Sequence, residues 1–320
     1  MRIKGTVWII GVALFCITTF SVAAEPEKRI GILAFSDQVR YMEAIQGFLD
    51  TCKEAGFGEP RTQYSIENAG ANKMVAQELV DKLAAEKLDL IFTVGTHASL
   101  AAFQKIKDIP IVFAQVYDPV ESGIAKSWHS SGTNATGAST RIPFVPLLAI
   151  VKQLKPITSL AVLYTPGEKN SESQLSDLQT VQERAGIKIV PVPLAKVEDI
   201  EQLLPLLIGR TDALFITGSN FVDNQLPIIM DMANKGGVVT ITHLEDLVEK
   251  GVLLGVGPNP YSVGRLAGKK AILIIHGADP SSIPIETVEK LDVTLNLKTA
   301  RAGRFQISPD FMKIVNKKIE

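Results

Sequence analysis

Cysteine, histidine and aromatic residues are scarce in this chain of 320 residues. Its two cysteines, Cys16 and Cys52, exclude a disulfide framework and any tetrathiolate metal site. The four histidines, His97, His129, His243 and His276, fit no ligand spacing such as HExxH. There is no GxSxG elbow, Walker A loop or Cys/His pair, and Gly255-Val-Gly257-Pro-Asn-Pro departs from the dinucleotide pattern. No catalytic residue, metal or cofactor is therefore expected. A surplus of one charge is also missing. Lys and Arg number 33 against 34 Asp and Glu, so no basic field exists to hold nucleic acid. Low-complexity tracts and long linkers are lacking too.

Long apolar runs are absent except at the start. Arg2 and Lys4 precede an apolar stretch from Val7 to Phe20, and small residues at 21–24 lead into Glu25-Pro26-Glu27-Lys28. This is the pattern of a secretory signal, too short for a comfortable membrane span, with cleavage expected after Ala24 and Ala23 as the neighbouring choice. Phe15 before Cys16 does not suit a lipidated cysteine, so a soluble, unlipidated periplasmic protein is expected. Cleavage would remove Arg2 and Lys4 but no acid, taking the formal net charge from −1 to −3. Cys52 would be left alone, and its setting in a helical pattern points to the core.

What is present is a duplication. Asp89-Leu-Ile-Phe-Thr-Val-Gly95-Thr96-His97 returns as Asp212-Ala-Leu-Phe-Ile-Thr-Gly218-Ser219-Asn220. Asp118-Pro-Val-Glu-Ser-Gly123 is answered by Asp246-Leu-Val-Glu-Lys-Gly251. The offsets, about 123 and about 128 residues, are domain-sized and not those of a solenoid. Around these copies, apolar runs alternate with helical patterns. Strands are expected at 29–35, 62–66, 88–94, 109–116, 159–164, 187–191, 213–217, 238–242, 252–256 and 291–297. Helices are expected at 38–55, 71–86, 96–106, 147–154, 172–185, 198–208, 222–235 and 262–276. Serial strand–helix–strand units mean parallel sheets covered on both faces, here in two similar Rossmann-like lobes. The chain is expected to cross between them near 140–146, 257–260 and 284–292. This gives 25–141 plus 258–288 for one lobe and 142–257 plus 289–320 for the other. Two such lobes imply a cleft, and a cleft implies a small ligand.

Several segments carry a family resemblance: Asp89 to Thr96, Ile109-Pro-Ile-Val-Phe-Ala-Gln-Val-Tyr-Asp118-Pro119, Asn134-Ala-Thr136-Gly137, the stretch Val162 to Ser171 and Val293-Thr-Leu-Asn296-Leu-Lys-Thr-Ala300. In this order they resemble the ABC-transporter substrate-binding proteins of the tryptophan/tyrosine-binding type, which have the type I periplasmic-binding-protein fold. The resemblance implies a monomer that captures an amino acid, or a related small carboxylate or amide, and delivers it to an ABC permease in the membrane. The alternative is a sensor that presents its ligand to a receptor kinase or chemoreceptor. Transcription repressors share the architecture but begin with a helix-turn-helix.

Ligands of open parallel sheets sit beyond the strand carboxyl ends. Gly95-Thr96 ends a strand and opens a helix, so its free N–H groups and hydroxyl suit a carboxylate. Asn170 and Ser171 stand at a similar turn in the opposite lobe, and Ser219-Asn220 duplicates the first; each is equally suited to an ordinary helix cap. Phe35 and Ser36, Gln115 and Tyr117, and Tyr164 end strands, and His243 follows one. Tyr164 suits stacking or the edge of the core. Asp118 is expected to build a turn with Pro119, and Glu168 to meet water. The family's Thr-Asp-Asn turn is Gly218-Ser219-Asn220 here, which removes an expected partner for a ligand ammonium group.

Overall fold

The computed structural model describes residues 27–320. The export signal and Cys16 lie outside the described residues. In chain order the elements are β1 (Lys28–Ala34), α1 (Val39–Glu54), β2 (Thr62–Asn68), α2 (Lys73–Ala85), β3 (Leu90–Val94), α3 (Thr96–Lys105), β4 (Ile111–Val116) and β5 (Ala135–Ser139). Next come α4 (Phe144–Leu154), β6 (Ser159–Tyr164), α5 (Lys169–Ala185), β7 (Lys188–Pro193), α6 (Val197–Leu207), β8 (Ala213–Ile216), α7 (Asn220–Asn224), α8 (Leu226–Lys235), β9 (Val239–Thr242), α9 (Glu245–Glu249) and β10 (Leu254–Gly257). The last are α10 (Pro260–Ile275), β11 (Glu286–Thr287), β12 (Asp292–Asn296), α11 (Leu297–Ala302), α12 (Pro309–Ile314) and β13 (Lys317–Ile319).

These strands form two sheets. One runs β11-β5-β4-β3-β1-β2 and is parallel throughout; the other runs β13-β12-β10-β9-β8-β6-β7, with β12 antiparallel to β10. Every residue of β3, β4 and β8 is buried, as sheets covered on both faces require. The two α/β lobes expected from the duplication are therefore present. The chain changes sheet between β5 and β6, between β10 and β11, and between β11 and β12. Helix α10 leaves the second sheet to pack on the first, where Val263, Ala267, Ala271 and Ile274 join the core. Its contact with α1 is close because neither helix carries bulk there. A Cβ on Gly47 would lie 2.1 Å from the Tyr261 carbonyl oxygen, and one on Gly264 would lie 1.9 Å from that of Ala44. Cys52 is buried on α1, and burial pushes its thiol up to about 11, which leaves it inert.

The structure differs from the sequence reading where polarity, not apolar period, builds the element. β5 is Ala-Thr-Gly-Ala-Ser, wholly buried but without a large side chain. A Cβ on Gly137 would strike Phe113, so small residues are required there, and they erase the hydrophobic signal. The single helix expected at 222–235 is two, α7 and α8, broken at Gln225 ahead of Pro227, which lacks an N–H. Strands β11 and β13 and helices α9, α11 and α12 are short and were not anticipated.

Candidate functional site

The first aspartate of each duplicated segment does the same structural work in both lobes. Asp89 accepts from the Arg29 N–H at 2.8 Å, fastening β1 beside β3. Asp212 accepts from the Thr158 and Ser159 N–H groups at 2.7 and 2.9 Å, fastening β6 beside β8, and these bonds hold its carboxyl down at about 2. From these anchored beginnings the strands run to the cleft, where the two copies diverge.

In the first lobe, Gly95 takes φ +95, and the Tyr41 hydroxyl lies 2.8 Å from where its Cβ would be. Only glycine meets both conditions. The turn opens α3 with no side-chain cap, so its first N–H groups have no partner within the helix. Thr96 and His97 both face the cleft. His97 stacks on Phe35 with ring centroids 4.7 Å apart, and burial together with nearby Lys73 lowers its pKa to about 4. Gln115 has φ +58, beside a register shift in the β4–β5 pairing. This uncommon backbone turns the side chain toward the pocket, where its Nε2 has no protein partner.

In the second lobe the matching turn is held by its own neighbours. The Gly218 N–H donates to Gln174 Oε1 at 3.0 Å, and the Gly218 carbonyl accepts from Asn170 Nδ2. Ser219 Oγ accepts from the Val222 N–H and lies 2.6 Å from the Thr165 hydroxyl. Glu168 is buried, contrary to the expectation that it meets water, and accepts from the Asn220 and Phe221 N–H groups. The first turn of α7, rich in free donors, gives it that place.

The pocket between the lobes is narrow and partly open to solvent, with about 20 Å³ of space for a water-sized sphere. Of the residues singled out in the sequence, Thr96, Gln115, Tyr117, Asn170, Asn220 and His243 line it. His243 is buried against Tyr117 and Phe215, and burial followed by nearby Arg40 lowers its pKa to about 3. Phe35 lies behind His97, and Gly95 sits under Tyr41 at the edge. Ser36 is buried with an unpartnered hydroxyl but does not line the pocket. Ser171 is wholly buried in its own turn, donating to the Thr165 and Glu168 carbonyls. Ser219 caps α7, and Tyr164 packs on the second lobe's core. Asp118 builds its turn, accepting from the Val120 and Glu121 N–H groups at 2.9 Å, and also pairs with Arg141.

Arg40, Tyr41, Thr140 and Gln174 also line the pocket and were missed. Arg40 and Tyr41 lie in a helix pattern that reads as ordinary amphipathy. Yet Arg40 is 3 % exposed and crosses the cleft to Asp246, at 2.5 Å, and to Asp223, at 3.4 Å. Burial works against its charge, but Asp246, Tyr41 and Asp223 outweigh burial and raise its pKa. Gln38 and Lys250 reach Asp223 at 2.7 and 2.6 Å. Among the described residues no group of three or more His, Cys, Asp or Glu is placed to hold a metal ion.

The sequence profile of a family described as ABC transporter substrate binding protein matches residues 29–318. A tyrosine-binding protein of Clostridioides difficile is 28 % identical over 295 residues, covering 91 % of this chain and 86 % of the relative. Among solved structures, a Streptococcus pneumoniae protein in complex with L-Trp gives a TM-score of 0.84 at 22 % identity, covering 91 % of this chain and 99 % of that one. A ligand-free, open substrate-binding protein with adhesive properties from Clostridium difficile gives 0.75 at 27 %, covering 92 % and 100 %.

Proposed function

Because the chain belongs to the ABC transporter substrate-binding protein family, we propose that it captures a small ligand between its lobes outside the cytoplasm and hands it to an ABC permease. Lobes of 25–141 plus 258–288 and 142–257 plus 289–320 move about the three crossings. Ligand drives closure by binding the closed arrangement more tightly than the open one.

The observation that carries this reading is the pocket itself. Unpartnered polar atoms from both lobes, Gln115 Nε2 from one and Asn170 Oδ1 and His243 Nδ1 from the other, belong to residues that line one space between the lobes. Such atoms are costly to bury unmatched, and a polar ligand would match them. The ion pairs from Arg40 to Asp223 and Asp246 form only when the lobes meet, so they favour the closed state. Thr96, Gln115, Asn170, Asn220 and His243 are the ligand contacts we propose, and the tyrosine-binding relative makes amino acids and related carboxylates the first compounds to test.

Thermal unfolding against amino acids, amides, nucleosides, sugars and small acids tests the reading. A ligand at 100 times its Kd adds about 2.7 kcal/mol of stability, a readily visible shift. A flat panel from folded, ligand-stripped protein would refute small-molecule capture of these classes.

A further inference from the structure

The charge pattern of the cleft narrows the ligand class further, given the reading that this cleft is the binding site. Arg40 is the charged side chain lining the inner pocket. A second pocket opens outward from it and shares Thr96 and His97; it adds Lys73 from the first lobe and Lys169 from the second. No Asp or Glu lines either pocket. The carboxylates behind them are engaged: Glu168 accepts from the Asn220 and Phe221 N–H groups, and two others are paired with cations. Asp246 faces Arg40, and Asp223 receives Arg40, Gln38 and Lys250. Asp246 Oδ1 has no hydrogen-bond partner, but the charge of the group is balanced by Arg40 at 2.5 Å.

The donors of the inner pocket converge differently. The N-terminus of α3, ten residues long, has no side-chain cap, and Thr96 carries a hydroxyl beside it. Gln115 is 8 % exposed, and its unpartnered Nε2 lines the same pocket. Together they are suited to a carboxylate. The other unpartnered atoms, Asn170 Oδ1, an acceptor, and His243 Nδ1, a donor or acceptor according to tautomer, belong to uncharged groups, since burial keeps His243 neutral. These match a neutral donor on the ligand, a hydroxyl or an amide N–H. An ammonium group held there would lose hydration with no carboxylate in the pocket lining to pair with it.

We propose that the site takes a small carboxylate bearing a neutral hydrogen-bond donor, such as a 2-hydroxy acid or an N-acylated amino acid, in preference to the zwitterionic amino acid of the same skeleton. Calorimetric titration of the ligand-stripped protein with matched compounds tests it: phenyllactate, N-acetylphenylalanine, phenylalanine and phenethylamine, and the corresponding leucine set. The expected result is affinity at least tenfold higher for a hydroxy or acylated acid than for its amino acid, with no binding of the amines. Equal or tighter binding of the amino acid overturns the proposal. Failure of every carboxylate, with a response to another compound class, overturns it while leaving capture in the cleft intact; silence from all classes overturns both. Gln115→Glu is nearly isosteric and puts a negative charge against the carboxylate. It should cost at least tenfold in affinity for the preferred acid in protein that remains folded, and unchanged affinity would show that the carboxylate does not lie at Gln115.

Discussion

The turns at Gly95 and Gly218 share a sequence plan and end up in opposite conditions. In the second lobe Gln174, Asn170, Thr165 and Glu168 occupy most of the donors and acceptors of Gly218-Ser219-Asn220, bracing the turn from its own lobe while the Asn220 side chain still reaches the pocket. In the first lobe Gly95-Thr96-His97 has no such caps, and its helix start faces the pocket. The partner aspartates diverge as well. Both are buried, but Asp118 serves its own turn and pairs with Arg141, whereas Asp246 crosses the cleft to Arg40. By contrast Asp89 and Asp212, at the far ends of the strands, keep one role. Duplicated folding signals thus persist away from the cleft, while at the cleft one copy leaves its helix start open to the pocket and the other is braced by its own lobe.

The largest predicted effect breaks the lobe-to-lobe link. Arg40→Met leaves Asp223 and Asp246 facing each other without their buried cation, a loss of about 3–5 kcal/mol for a broken buried pair. Opening the lobes would hydrate both carboxylates, so the effect should appear in scattering as a more extended molecule, and in affinity, more than in loss of fold.

The two glycines should separate next. Gly95→Ala forces a side chain into φ +95 and onto the Tyr41 hydroxyl, costing about 1–3 kcal/mol in denaturant unfolding. Gly218→Ala meets only side-chain atoms at 3.3–3.4 Å and should cost much less. Equal losses would mean that the two turns are alike after all.

The hydroxyls sharpen the contrast. Thr96→Ala should weaken ligand binding about tenfold, as expected for losing a hydrogen bond worth about 1.5–3 kcal/mol to a charged group, with Tm nearly unchanged. Ser219→Ala should do the reverse, removing an N-cap worth about 1 kcal/mol while sparing affinity. The paired titrations and melts would show a reversed pattern if the second turn were the binding one.

The smallest effect is in pH. His97 and His243 titrate near 4 and 3 in the folded protein, below the ordinary value of about 6.5. Between those limits the unfolded chain binds more protons, so their contribution is full above about pH 6.5 and is lost progressively as the pH falls through the folded values. His243→Asn should flatten the fall in Tm between pH 6.5 and 4 relative to the unsubstituted protein; parallel curves would contradict a neutral, buried His243.

Much of this architecture was legible in the sequence because parallel strands buried on both faces are written as plain apolar runs, as in Leu90–Val94 and Ala213–Ile216. β5 was not legible, since close packing on Phe113 demands small residues that carry no apolar signal. At the site, the turns could be located but not ranked: a capping serine and a ligand-facing threonine look alike until their neighbours are known. Ser171 and Ser219 prove to be held by Thr165, which the sequence places near one of them only. Arg40 was hidden for the opposite reason. Its partners lie 183 and 206 residues away, and nothing in a helix pattern distinguishes a solvated arginine from a buried one.

The most direct test of the central claim is small-angle X-ray scattering of the ligand-stripped protein with and without a compound that stabilises it in the thermal panel. The account predicts a smaller radius of gyration with ligand, and a smaller contraction in Arg40→Met. Superimposable profiles for the unsubstituted protein, at saturating ligand, would contradict closure of the two lobes around it.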